Sequence, residues 1–196
     1  MRFFSSFRYG GLVQKAEFQE DHNFIPLVSS CTLLFARRIF IFECMEQAQV
    51  FKDIKGNRID PIEHTRAILA NNPFVSIHIG TDSQSIAKQT RYITVIAYRF
   101  GNRGVHYILK KNGVPKIKDL WTRLWKETEM SIDVAEWIKT SLNVKAEIDM
   151  DYNEDENFKS NKLVNATRGW ANSLGYKVNI KPHGQIATRA ADYHCK

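Results

Sequence analysis

Cysteine is scarce in this chain: three residues, Cys31, Cys44 and Cys195, in 196. Their odd number and wide spacing, with no C-x-x-C and no matching histidine spacing, build neither a disulfide framework nor a zinc site. Free thiols suit a reducing compartment, so a cytoplasmic location is expected. Long apolar runs are lacking as well. The stretch 25–36 is apolar, but Arg37 and Arg38 close it short of the roughly 20 residues that span a bilayer. Glu17, Glu20 and Asp21 precede it, where a signal peptide carries a basic flank. No membrane partner is expected.

What the chain does have is length enough for one domain with a sizeable core, and an excess of basic residues. Twenty-eight Lys and Arg against 21 Asp and Glu give a formal charge of +7, which favours a polyanionic partner. Residues 1–44 crowd Phe3, Phe4, Phe7, Phe18, Phe24, Phe35, Phe40 and Phe42 without a clean period. That segment is expected to be disordered or to lie outside the compact protein. Residues 45–73 then read as a lead-in with a helix, and 74–196 as the main domain. Asp60-Pro61-Ile62-Glu63 carries a helix-start signature, with Asp at the N-cap, Pro at the first helical position and Glu at the third. Asn71-Asn72-Pro73 ends that helix, predicted to reach residue 70.

The chain is organised around Val75 to Gln84. Val75, Ile77 and Ile79 alternate with Ser76 and His78, and the β-branched content marks a strand with a buried face. It stops on Gly80-Thr81-Asp82, which places Asp82 at the carboxyl end of a central strand, where open α/β sheets hold their chemistry. The competing reading of Asp82 is a turn cap. His78 reads as a core or sheet-face histidine. Runs at 92–100 and 105–109, separated by Gly101-Asn102-Arg103-Gly104, make a hairpin. Residues 110–118, rich in lysine, read as a basic loop.

Residues 119–142 form the longest helical pattern, with Leu120, Leu124, Ile132, Ala135, Ile138 and Leu142 on one face. Glu127 falls roughly 70° from the centre of that stripe and Glu129 roughly 130° away, so Glu127 points inward and Glu129 toward water. An inward carboxylate is costly unless it is paired or on a metal; a salt bridge to Arg123 is the plainer alternative. Residues 144–151 read as a strand with Asp149 and Asp151 on one face, where two like charges call for something positive nearby. A second amphipathic helix at 159–174 carries Trp170, read as core rather than as a base-stacking platform, and Gly175 stands at its C-cap. A strand at 176–180 and a short helix at 184–193 complete the chain. His183 and His194 lie near Asp192 without a spacing that demands a role.

This order, strand, strand, strand, helix, strand, helix, strand, helix, with acids at the end of the first strand, in the first long helix, at the end of the fourth strand and in the last helix, resembles the ribonuclease H-like superfamily. Ile79-Gly80-Thr81-Asp82-Ser83-Gln84, the 123–131 helix, Asp149-x-Asp151-x-Asn153, Lys159-Ser160, and Lys181-Pro182 through Ala190-Ala191-Asp192 are similar to the YkuK-type family within it. The resemblance covers about residues 50–196 and implies an α/β fold with a mixed sheet, three antiparallel strands followed by parallel ones, and helices on both faces.

It further implies a nuclease that holds two divalent ions, Mg2+ or Mn2+, through Asp82, Glu127, Asp151 and Asp192. The YkuK-type pattern has a histidine two before the fourth-strand acid where this chain has Asp149, so Asp149 joins the candidate ligands. Ser83, Gln84, Asn153, Lys159 and Lys181 stand in the same words as expected contacts to nucleic acid, whether RNA, DNA or hybrid. Two other readings keep the fold: a non-catalytic nucleic-acid-binding or assembly protein, and a sugar-kinase or actin-like nucleotide hydrolase. The last lacks its glycine-rich phosphate loops, since Gly101 to Gly104 reads as a hairpin turn.

Overall fold

The computed structural model describes residues 50–196 except residue 183. The expectations for residues 1–44, Cys31, Cys44 and His183 lie outside the described residues. In chain order the elements are β1 (Phe51–Lys52), β2 (Arg58–Ile59), α1 (Pro61–Asn71), β3 (Ser76–Ile86), β4 (Gln89–Arg99), β5 (Val105–Pro115), α2 (Leu120–Leu142), β6 (Glu147–Asn153), α3 (Asn161–Ser173), β7 (Val178–Lys181) and α4 (Ala187–Cys195). One seven-stranded sheet runs in the order β2-β1-β5-β4-β3-β6-β7. Strands β3, β4 and β5 form an antiparallel meander, and β6 and β7 add on in parallel beside β3. The fold is therefore the mixed α/β sheet expected of a ribonuclease H-like chain.

Local chemistry explains the boundaries. The Asp60 carboxylate accepts from the N–H groups of Ile62 (2.8 Å) and Glu63 (3.1 Å), satisfying donors that the first turn of α1 leaves free. Asp119 does the same for α2 through Thr122 N–H at 2.7 Å, and Asn143 ends α2 in the left-handed region with φ 54°. Strand β4 is the centre of the core, with Tyr92, Ile93, Val95, Ile96, Ala97 and Tyr98 all fully buried. Burial on both faces requires helices on both sides.

Alternation along the strands decides which helix covers which face. Thr81 and Thr94 are register partners 3.0 Å apart, and Ser131 of α2 donates to Thr81 at 2.9 Å, so α2 lies on this face. Thr65 of α1 bonds Tyr98, and Thr128 of α2 bonds Tyr152, on the same side. The opposite face, carrying Gly80, Val95 and Leu109, is covered by α4 through Ala187, Ala191 and Cys195.

The structure departs from the sequence reading in three places. Strand β3 continues past Asp82 to Ile86, paired with β4 throughout, because the connection is a tight turn in which Ala87 takes φ 45°. Strand β5 continues through Pro115, so most of the basic stretch is strand rather than loop. Among the described residues β1 meets β5 at Lys52↔Leu109, short of this basic stretch. Trp170 is half-buried and stacked on Trp125, ring centroids 5.4 Å apart at 10°, instead of entering the core.

Gly80 sets the distance between the sheet and α4. A Cβ there would come within 2.8 Å of Thr188 Cγ2, 2.9 Å of the Thr188 backbone nitrogen and 3.1 Å of Ala187 Cβ. Backbone cannot yield as a flexible side chain does, so α4 would have to lift. Gly80→Ala is expected to destabilise the chain by about 1–3 kcal/mol in urea unfolding; an unchanged midpoint would show that α4 is not seated through Gly80.

Candidate metal centre

The parallel ladder between β3 and β6 is short: His78↔Glu147, Ile79↔Ile148, Gly80↔Asp149. Beyond it β3 stays with β4, while the register of β6 against β7 shifts between Met150 and Asn153. From β3 the chain first builds the sheet to one side through β4 and β5, then returns to build the other through β6 and β7. The opening between β3 and β6 is thus a topological switch point, the place where such sheets hold ligands. Asp82 and Asp151 each lie two residues past the last ladder pair, Gly80↔Asp149, on the two sides of this opening.

Glu127 reaches the opening from α2. It is only 5% exposed, and Ser83 Oγ donates to its Oε1 at 2.5 Å. Burial holds its carboxyl well above the usual range; the Ser83 bond works against this, and the charges of Asp82 and Asp151 add to it. Arg123 acts on Glu127 as a nearby charge, while its own Nη1 donates to Ser85 at 3.2 Å, so the expected alternative of a Glu127–Arg123 salt bridge is not what forms. Glu129 instead bonds Lys126 at 2.6 Å near the surface.

Asp82 is also raised above its ordinary value, first by burial and further by the charges of Asp151 and Asp192; a bond with the Cys195 thiol and another from Ser83 N–H oppose the shift. Cys195 is buried, and its thiol is pushed far up by burial and by Asp82. This contact escaped the sequence reading. The signal was available: Asp192 and Cys195 are three apart on α4 and so share a helix face.

The four expected ligands, Asp82, Glu127, Asp151 and Asp192, therefore come from four elements; the charges of Asp151 and Asp192 act on Asp82, and those of Asp82 and Asp151 on Glu127. They do not share one coordination sphere as the chain stands: among the described residues no group of three His, Cys, Asp or Glu is arranged to hold an ion. Asp151 is engaged by Lys181 Nζ at 2.6 Å and Asp192 by Lys196 Nζ at 2.8 Å. In donor chemistry the set suits a hard divalent ion, which takes carboxylate oxygens.

Asp149 behaves differently. It is 1% exposed and accepts from Ile186 N–H (2.8 Å), Ala187 N–H (2.7 Å) and Asn179 Nδ2 (2.9 Å), with His78 Nδ1 at 3.3 Å from Oδ1. Those bonds tie it to the start of α4, and no ion is needed to explain it. The positive partners expected between Asp149 and Asp151 are thus separate, a helix N-terminus for one and an ammonium for the other. Of the expected nucleic-acid contacts, Ser83 serves Glu127 and Lys181 serves Asp151. Asn153 N–H donates to Ser160 Oγ at 3.2 Å, Gln84 is half-buried, and Lys159 is exposed.

A mixed sheet with an antiparallel meander on one side of β3, parallel strands on the other, and acids from four elements near its switch point defines a class of α/β domains. The family model described as ribonuclease H-like matches residues 59–196, and the chain belongs to that family. No curated protein matches the chain, and no solved structure does.

Two predictions follow from these surroundings. Because the folded chain holds protons on Glu127 and Asp82 more tightly than the unfolded chain does, metal-free stability should fall as pH rises above the ordinary carboxylate values of 4.5 and 3.8. Urea unfolding in chelator between pH 4.5 and 8 should show that slope, and Glu127→Gln should flatten it. Asp149→Asn should cost roughly 1.5–3 kcal/mol, as for bonds to a charged group, whereas Asp151→Asn should leave the unfolding midpoint nearly unchanged.

Proposed function

We propose that this chain is a divalent-metal-dependent nuclease of the ribonuclease H-like family, hydrolysing phosphodiester bonds with Asp82, Glu127, Asp151 and Asp192 as ligands for a pair of Mg2+ or Mn2+ ions. The observation that carries it is the placement of Asp82 and Asp151 two residues past the last β3–β6 ladder pair, with buried Glu127 reaching in from α2 and the charge of Asp192 on α4 felt at Asp82. Bound ions supply Lewis acidity and water activation for attack on phosphate.

The chain's own residues supply the rest. Ser83 fixes the rotamer of Glu127 by donating to it. Asp149 holds α4 down, and with it Asp192 and Cys195 beside Asp82. Lys181 and Lys196 neutralise Asp151 and Asp192 in the metal-free chain, and their exposed, flexible stems let them give way to a cation or turn to a phosphate. Gln84, Lys159 and the Nδ2 of Asn153, whose Oδ1 accepts from Asp155 N–H at 3.0 Å, are the proposed polar contacts to the nucleic acid backbone. Closer kinship with the YkuK-type family is part of this proposal and rests on the Ile79 to Gln84 word, with Asp149 as the departure that the helix clamp accounts for.

A second reading, a binding protein that keeps the fold without catalysis, draws on the two ammonium–carboxylate pairs that occupy half of the acids. Manganese-dependent cleavage of labelled RNA, DNA and hybrid substrates separates the two. Asp82→Asn is expected to lower cleavage by more than roughly a hundredfold while the protein stays folded. Manganese at about 100 times its Kd should stabilise the original chain by about 2.7 kcal/mol, and the variant by much less. Equal thermal shifts and unchanged cleavage would remove Asp82 from the site.

A further inference from the structure

Between the end of β5, the first turns of α2 and the start of α3 lies a groove of about 730 Å³ with largely apolar walls. The end of β5 contributes Val114 and Pro115, the segment after it Ile117, the first turns of α2 contribute Trp121 and Trp125, and α3 contributes Leu163. Trp125 is 40% exposed, unusual for so large an apolar side chain. Its indole is already fixed, because it stacks on Trp170 at 5.4 Å and 10°. Trp121 sits one helical turn earlier on the same face, with Lys162 Nζ 5.9 Å from its ring.

Charge around the groove is one-sided. Lys116 and Lys126 line it, and Lys118 and Lys162 are exposed beside it. Its one lining acid, Glu129, is bonded to Lys126, and nearby Asp119 is spent on capping α2. The groove lies two strands across the sheet from β3, and a chain of contacts links it to the strand that carries Asp82. Val114 of β5 pairs with Thr90 of β4, which pairs with Ser85 of β3, three residues past Asp82, and Arg123 of α2 donates to that same Ser85.

We infer that this groove holds an unpaired stretch of the nucleic acid substrate, one base stacking on Trp125 and its phosphates facing the lysines. The inference rests on the nucleic-acid reading above and extends it to the substrate's form. A base inside a duplex hides both faces against its neighbours, so only a single-stranded base offers a face to an indole plane. Pre-fixed aromatic surface with surrounding cations is how sequence-tolerant single-strand sites are built. An aromatic-lined groove also suits a proline-rich peptide, but with Glu129 and Lys126 cancelling one another, Lys116, Lys118 and Lys162 remain as excess positive charge and favour the polyanion.

The test is binding in chelator, where no metal-dependent cleavage intervenes. Fluorescence anisotropy would follow the full chain with a labelled 12-nucleotide single strand and with the matching duplex, and quenching of tryptophan emission would report stacking. Trp125→Ala is expected to weaken single-strand binding by roughly 5- to 150-fold, the range for losing one stacked base, to abolish most of the quenching, and to leave duplex binding within about twofold; Trp125→Phe should retain most of the single-strand affinity. Circular dichroism on both variants separates a lost fold from a lost contact. Equal single-strand binding by the original chain and folded Trp125→Ala would overturn the inference, as would quenching by a proline-rich peptide with none by the oligonucleotide. Asp82→Asn keeps this result distinct from the nuclease reading. If that reading fails, cleavage is absent while the Trp125 effect persists; if only the groove inference fails, cleavage persists and the Trp125 effect is missing.

Discussion

One buried carboxylate fixes the arrangement of everything around it. Asp149 accepts from the N–H groups of Ile186 and Ala187, at the positive end of α4 where an anion is stabilised, and from Asn179 on β7. Its register partner is Gly80, the residue whose missing side chain lets the start of α4 lie against the sheet. Gln185 adds to the seat by donating to Met150 O at 3.0 Å and accepting from Thr188 Oγ1 at 2.5 Å. Sheet and helix are thereby locked together one step below the opening between β3 and β6. Asp192 and Cys195 follow α4, so their position relative to Asp82 is inherited from Asp149.

Above that lock the chain accepts an electrostatic cost. Glu127 and Asp82 are drawn out of water, which raises both carboxyls, and the charge of Asp151 raises both further. A well-packed domain has no structural need for this, since an apolar side chain at position 127 would fill the same place without a desolvation penalty. Like charges kept together at a cost to the empty protein are a mark of a functional site. The ammoniums of Lys181 and Lys196 relieve the outer pair of acids, while among the described residues no lysine forms a salt bridge with Asp82 or Glu127.

Much of this was legible in the sequence because it is written in short-range patterns. The alternation at Val75 to Ile79, the Gly101 to Gly104 turn and the Asp60-Pro61 cap each depend on neighbours within a few residues. The inward aim of Glu127 follows from helical angle alone. What was not legible depends on partners far along the chain. Asp149 and Asp151 look equivalent two apart on one strand, and only the arrival of α4 some 37 residues later separates a helix clamp from a candidate ligand. Strand β5 was shortened because lysines at 110 and 111 read as loop, whereas β4 supplies hydrogen bonds to that length regardless of its side chains. Trp170 read as core because its helix period is apolar, and its stacking on Trp125 of α2 is a long-range event. The short contact of Cys195 with Asp82 is of the same kind.

The proposal that Asp82, Glu127, Asp151 and Asp192 hold divalent ions is tested by crystals grown with manganese and measured at a wavelength where manganese scatters anomalously. Anomalous peaks are expected in the opening between β3 and β6, within bonding distance of Asp82 and Glu127, with Lys181 and Lys196 displaced from Asp151 and Asp192. A well-ordered structure from saturating manganese with no peak there, and both lysines still on their carboxylates, would contradict it.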